Sequence, residues 1–386
     1  LKSALLQFFT DIFRTHEIDH VIFENVADTF SYMAFFVCQH TGIRYCGVTT
    51  SRLPGRFTLT ESPLDEALSI KKHLGAIEDH SLDIPQNIRD WCAGYIDNID
   101  KITPDYMHFN NLDKTSLFSR YEISDKIRVS IGAFRHLFDD HLYAFKVGNP
   151  VNKRWQVFRR ALARKFRVRR LHRYYGIPDS EDQYLLYPLH YHPEASTSIL
   201  AGTYLDEYEV IRNIAFNLPA GVRLYVKDHI SGFGLADDSF YESLVRLPNV
   251  RLLAPDLPTK DLIRKSLAVM TLTSTVGYEA LLLGKRVFLY GRVFYELHPD
   301  VVRVTDPAAL FDLFKEWLHK PLRTDREYNL RFVAAYYLST IPGVLDPGGP
   351  DAPRLATEVY PRILSALTDT GAADTDHGTP RSSRST

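Results

Sequence analysis

Leu267-Ala268-Val269-Met270-Thr271-Leu272-Thr273-Ser274-Thr275-Val276-Gly277-Tyr278-Glu279-Ala280, with Val287-Phe288-Leu289-Tyr290 shortly after it, decides how the chain folds. It reads as a buried strand over 267–272, a hydroxyl-rich turn, a helix over 278–283 and the next strand over 287–290. Ser and Thr stand where a starting helix exposes unpaired N–H groups, so the turn reads as a seat for a nucleotide phosphate. A plain N-cap is the compatible alternative, with Ser274 or Thr275 capping and Glu279 as an early acid.

Upstream, the same alternation recurs. Tyr184 to Leu189, Arg223 to Lys227 and Val250 to Leu253 read as strands; Tyr204 to Asn217, Asp238 to Arg246 and Thr259 to Ser266 read as helices. Strands alternating with helices of this length indicate a doubly wound parallel sheet over residues 182–345. Near the start, Val21 to Phe23 and Tyr45 to Val48 flank a helix over 29–40, the beginning of a first α/β domain over 1–181. From Pro63 to about Arg173 the periodicity is helical, an insertion within that domain. A terminal helix over 355–367, interrupted by Pro361, lies in the 346–367 region, and residues 368–386 hold almost nothing to bury and read as disordered. The expected fold class is α/β and GT-B-like: two Rossmann-like domains facing a cleft, with a helical insertion in the N-terminal half.

Composition narrows the function. The 386 residues are 45% hydrophobic and 24% charged with a formal net charge of -1, which gives no support for nucleic acid as a partner. Cys38, Cys46 and Cys92 form no close pair, which argues for a reducing, cytoplasmic compartment. The apolar start, Leu1 to Phe9, reads as helix rather than signal peptide. Lys153 to Arg173 is basic throughout and contains no acid. It reads either as a solvated helix or as a contact with a phosphorylated acceptor or with anionic lipid at the inner face of the membrane.

Three groups of residues can carry chemistry. His190, His192 and Glu194 share the loop after a strand, where open α/β sheets place ligands, and read as catalytic acid/base or sugar-contacting groups. Ordinary surface histidines are the bland alternative, and no further Cys or His lies near enough in sequence to complete a metal shell. Lys227 and His229 end the next strand and can hold a phosphate, although Lys-x-His alone is weak. Thr273, Ser274, Thr275, Gly277 and Glu279 form the third group: hydroxyls for the phosphate, a glycine for close approach and a carboxylate for ribose hydroxyls. Neither GxGxxG nor a Walker A motif occurs, which argues against dinucleotide oxidoreductases and P-loop ATPases.

Tyr187-Pro188-Leu189-His190-Tyr191-His192-Pro193-Glu194-Ala195-Ser196, Tyr225-Val226-Lys227-Asp228-His229, and Thr273 to Ala280 with Gly284-Lys285 resemble the capsule polysaccharide biosynthesis proteins. The resemblance spans roughly residues 182–300. That group includes GT-B enzymes that move 3-deoxy-manno-octulosonic acid (Kdo) from its CMP-activated form. The resemblance implies a glycosyltransferase with a nucleotide sugar, CMP-linked, as co-substrate and no tightly bound cofactor. It also implies a glycan or glycolipid acceptor of surface or capsular type. Related enzymes hold the donor with a His-Pro segment and a Ser/Thr-rich turn; the former falls on Lys227-Asp228-His229, where Ile230 replaces the proline. A sugar epimerase or phosphorylase of the same architecture, or a non-catalytic polysaccharide-assembly protein, are the other readings.

Overall fold

A computed structural model describes residues 2–105, 107, 162–192, 196–345 and 355–371. Its centre is a six-stranded parallel sheet built from β4 (Gln183–Pro188), β5 (Val222–Lys227), β6 (Val250–Leu253), β7 (Ala268–Thr271), β8 (Arg286–Leu289) and β9 (Val301–Arg303). The spatial order is β6-β5-β4-β7-β8-β9. The chain thus winds outward from β4 to one edge, then returns beside β4 and winds to the other. That reversal opens a crevice between β4 and β7 at their carboxyl ends.

The strands are buried on both faces because their residues are apolar nearly throughout, as in Ala268-Val269-Met270-Thr271. One face carries α6 (Glu207–Asn217), α7 (Asp238–Arg246) and α10 (Leu310–Trp317) over Leu185, Tyr187, Val226 and Phe288. The opposite face carries α8 (Thr259–Lys265), α9 (Thr275–Leu282) and α11 (Arg326–Leu338) over Tyr184, Leu186, Val269 and Val287.

The first sheet is smaller and mixed. α1 (Lys2–Thr15) precedes β1 (His20–Glu24); α2 (Thr29–Thr41) then crosses over to β2 (Arg44–Thr50), which pairs parallel with β1. Asp28 and Ser31 form a reciprocal capping box that fixes the start of α2. The chain then reverses through 51–55 into β3 (Arg56–Thr60), antiparallel to β2. The N-terminal half therefore has one βαβ crossover followed by a hairpin. Of the helical insertion, α3 (Ala67–Glu78), α4 (Gln86–Asp97) and a helix α5 over 162–171 fall among the described residues.

One boundary shifts against expectation. β10 (Ile341–Pro342) pairs antiparallel with β3, so the end of the 182–345 stretch belongs to the first sheet. The last helical segment begins as a π-helical turn over Leu355–Val359 and becomes α12 (Tyr360–Gly371) next to Pro361, whose missing N–H is where an unbroken α-helical ladder would need a donor. The tail beyond 371 lies outside the described residues.

The two units share one core. Leu53, Ile70, Leu74, Cys92 and Tyr95 pack in the same cluster as Tyr278, Tyr295, Phe332 and Tyr336. Arg56 fastens the junction: Nε donates to Thr340 Oγ1 at 2.6 Å, its guanidinium also reaches the Thr340 carbonyl at 2.7 Å, and it lies 3.7 Å over the Tyr337 ring.

Candidate functional site

Glu207 organises the carboxyl end of β4. It opens α6, where the helix dipole favours a negative charge, and it is buried. Its Oε1 accepts from the His190 amide at 2.9 Å, lies 2.7 Å from His190 Nδ1 and accepts from Tyr187 Oη at 3.2 Å. Its Oε2 lies 3.3 Å from His192 Nε2. Burial pushes the carboxyl pKa up, but the hydrogen bonds from His190 and His192 outweigh it and hold the group at about 2.

His190 spans the crevice. The Thr273 amide donates to its Nε2 at 3.3 Å, which makes Nε2 an acceptor and places the ring proton on Nδ1, facing Glu207. Thr271 Oγ1 is 3.1 Å from the same Nε2 and itself accepts from the Ser274 amide at 2.9 Å. The structure thus joins the His190 loop and the Thr273–Ser274 turn, two of the three groups singled out in the sequence, through one buried imidazole. With both ring nitrogens engaged, His190 positions its neighbours. His192, by contrast, is exposed at the rim. Glu194 lies outside the described residues.

An open cleft of about 570 Å³ lies above this network, lined by His190, His192, Glu207, Asp228, Leu235 and Tyr241 among others. That size suits a small ligand. Its walls carry the carboxylates of Asp206, Glu207 and Asp228 and, among the described lining residues, no Lys or Arg. Such a surface matches sugar hydroxyls better than phosphates. Asp228 accepts from Tyr175 Oη at 2.6 Å and from the His229 amide at 2.7 Å, while burial raises its carboxyl pKa to about 6.

Several candidates stand elsewhere. Lys227 is buried and donates to the Pro255 carbonyl at 2.8 Å, a contact at the end of β6 rather than at the Ser274 turn. Burial lowers its pKa to about 8. His229 Nδ1 accepts from the Ser231 amide at 3.1 Å, and its ring lies 6.2 Å from that of Tyr191, so the loops after β4 and β5 meet. Ser274 is the N-cap of α9, accepting from the Val276 amide at 3.2 Å. The amides of Thr273, Ser274, Val276 and Gly277 are all bonded within the protein, so a phosphate arriving there meets hydroxyls first. Gly277 serves packing, since a Cβ at that position would stand 2.4 Å from Tyr295 Oη. Glu279 turns toward the first unit, 3.9 Å from Lys260 Nζ, with its carboxyl pKa raised by burial.

A smaller polar pocket lies where the first sheet meets the second unit, lined by Asn25, Thr50, Arg52, Glu66, Phe294 and Tyr336 among others. Asn25 Nδ2 donates to Glu66 Oε1 at 2.9 Å, and burial raises the Glu66 carboxyl pKa against the opposing effects of Arg52 and Asn25. Three arginines in the described part of the basic stretch are spent on the protein itself. Arg164 donates to the Ser231 and Phe233 carbonyls, Arg167 to those of Gly234 and Leu235, and Arg170 pairs with Asp238. Residues 153–161 lie outside the described residues.

Sequence reading missed Glu207 and Glu66. Asp206-Glu207 carries only the signal of a cap followed by a first-turn acid, and Asp206 does cap α6 through the Glu209 amide. Glu66 and Asn25 are far apart in the chain and meet only through packing.

No curated sequence matches the chain. Among solved structures it is similar to two Thermosulfurimonas dismutans KpsC proteins. To the beta Kdo 2,7 transferase it is 17% identical, covering 47% of this chain and 54% of that one, with a TM-score of 0.32. To the beta Kdo 2,4 transferase it is 14% identical, covering 82% of this chain and 78% of that one, with a TM-score of 0.41. The UDP-GlcNAc 2-epimerase from Neisseria meningitidis, bound to UDP-GlcNAc, is also similar, at 14% identity over 94% of this chain and 81% of that one, with a TM-score of 0.31. The chain thus spans about half the length of the first of these. No helix among the described residues is long and apolar enough to cross a membrane. Residues 134–310, the stretch that holds all six strands of the parallel sheet and the His190–Glu207 site, match the family model described as "Capsule polysaccharide biosynthesis protein".

Proposed function

We propose that the chain transfers a sugar from a nucleotide-sugar donor to a surface or capsular polysaccharide. The observation that carries this reading is the His190–Glu207–His192 network at the rim of an open, acidic cleft, placed at the crevice where the parallel sheet reverses direction. In this reading the sugar occupies the cleft. His192, backed by the ionised Glu207, exchanges the proton of the reacting hydroxyl, and Glu194, two residues away, assists. His190 holds the β4 loop against the Thr273–Ser274 turn, whose hydroxyls receive the donor phosphate. The small pocket at Asn25, Arg52 and Glu66 takes hydroxyls of the acceptor. A CMP-linked donor is the finer assignment, supported by the resemblance in the Lys227–His229 and Thr273–Ala280 segments.

Calorimetry with CMP and UDP, followed by turnover of the preferred nucleotide sugar with and without glycan acceptors, tests this. Binding of one nucleotide, acceptor-dependent turnover and at least a roughly 100-fold loss of kcat in His192→Ala with retained nucleotide affinity are expected. Donor turnover that proceeds equally well without acceptor replaces transfer with epimerisation or hydrolysis. Full activity in His192→Ala removes the acid/base assignment.

A further inference from the structure

β1 is the end strand of the first sheet, paired with β2 on one side. Its hydrogen bonds show what the other side offers. The Asp19 carbonyl accepts from the Arg44 amide at 3.1 Å, and the Asn25 amide donates to the Val48 carbonyl at 3.3 Å. Odd-numbered residues from 19 to 25 therefore aim their peptide groups at β2. By strand alternation, His20, Ile22 and Glu24 aim theirs outward, the Glu24 carbonyl also accepting from Tyr45 Oη at 2.8 Å. Among the described residues no strand pairs with that edge.

The edge is also apolar at its centre, with Ile22 37% and Phe23 42% exposed. Phe23 leads on to Phe30, 43% exposed, at a ring separation of 6.2 Å, and Phe30 leads to Phe9 at 4.8 Å. Phe8, 46% exposed, continues the strip along α1. Scattered exposed apolar residues are ordinary, but a contiguous aromatic strip beside an unpaired edge marks an association surface.

We propose that this edge joins two copies of the chain, with β1 paired antiparallel to β1 about a two-fold axis through Ile22. The segment His20-Val21-Ile22-Phe23-Glu24 is self-complementary in that register. His20 stands opposite the partner's Glu24, Val21 opposite the partner's Phe23, and Ile22 opposite its own symmetry mate. The three outward-facing residues fall at the positions that exchange two backbone hydrogen bonds per pair, about four bonds plus two that share the Glu24 carbonyls with Tyr45 Oη. An imidazole meets a carboxylate at both ends, and an aromatic meets a β-branched side chain beside the axis. A slip by two residues sets Ile22 against the polar ends and loses both His20–Glu24 contacts. A five-residue ladder alone is small for a stable dimer, and the Phe8–Phe30 strip supplies the remaining apolar contact. The contact is isologous, so it closes at two copies.

Sedimentation velocity on the full chain, over a dilution series, tests this. A dimer that dissociates on dilution is expected. Ile22→Lys, which sets two ammonium groups face to face at the axis, should leave a monomer with unchanged far-UV circular dichroism. His20→Glu places like charges opposite each other twice and should weaken the dimer roughly tenfold. His20→Glu combined with Glu24→Lys re-creates both pairs in reversed sense and should restore the Kd to within about threefold. A chain monomeric at every concentration overturns the proposal, as does a dimer indifferent to Ile22→Lys or to the charge reversal.

Discussion

Glu207 shows how a buried carboxylate can hold a site together. Its pKa, depressed from 4.5 to about 2, means that the folded protein binds this proton less readily than the unfolded chain. The resulting stabilisation is complete above about pH 4.5 and is lost as the pH falls toward 2. Acid titration of thermal stability should therefore show a drop in that window that is smaller in Glu207→Gln. At neutral pH the same substitution should cost about 1–3 kcal/mol, since two imidazoles lose their shared acceptor; chemical denaturation measures it. Asp228 runs the other way. Its raised pKa, about 6, favours folding at low pH and gives up that contribution as the pH rises through 6, so Asp228→Asn should flatten the stability profile between about pH 4 and 6. Gly277→Ala should destabilise by about 1–3 kcal/mol, because the new methyl meets Tyr295 Oη within a shared core; the shift in denaturation midpoint reads it.

Among the elements, α9 is the one whose sequence and structure divide most instructively. Ser274→Ala should cost about 1 kcal/mol through the lost cap, measured as a change in thermal midpoint, whatever it does to ligand binding. The strand-turn-helix order around it was legible, because β7 is apolar up to Thr271 and the turn is rich in hydroxyls. So were α7 and β6, where punctuation by Asp, Pro and Asn matches the ends of the elements. β3 was not legible. Arg56-Phe57-Thr58-Leu59-Thr60 alternates as a strand should, but it returns antiparallel on β2 as a hairpin within a stretch of strand–helix alternation, and its other neighbour, β10, is two residues long and lies at the far end of the chain. The candidate site was legible only in its histidines. What holds them, Glu207, is indistinguishable in sequence from any acid in a helix's first turn. Lys227 likewise reads as a free cation at a strand end, and only packing reveals that it turns to Pro255.

At the scale of the molecule, the shared core predicts that the two α/β units unfold together. Arg56→Ala should remove the clamp on Thr340 and Tyr337, cost about 2–4 kcal/mol and separate the single calorimetric transition into two. The closing of β10 onto β3 also sets an order of events during synthesis. The six-stranded sheet draws all its strands from Gln183–Arg303 and is complete once that stretch has left the ribosome. The first sheet, made earlier, must keep the β3 edge open until Ile341 and Pro342 emerge. The half of the protein translated first is therefore finished last, and the interval in which its edge stands unprotected lengthens with the time taken to translate everything between Thr60 and Ile341.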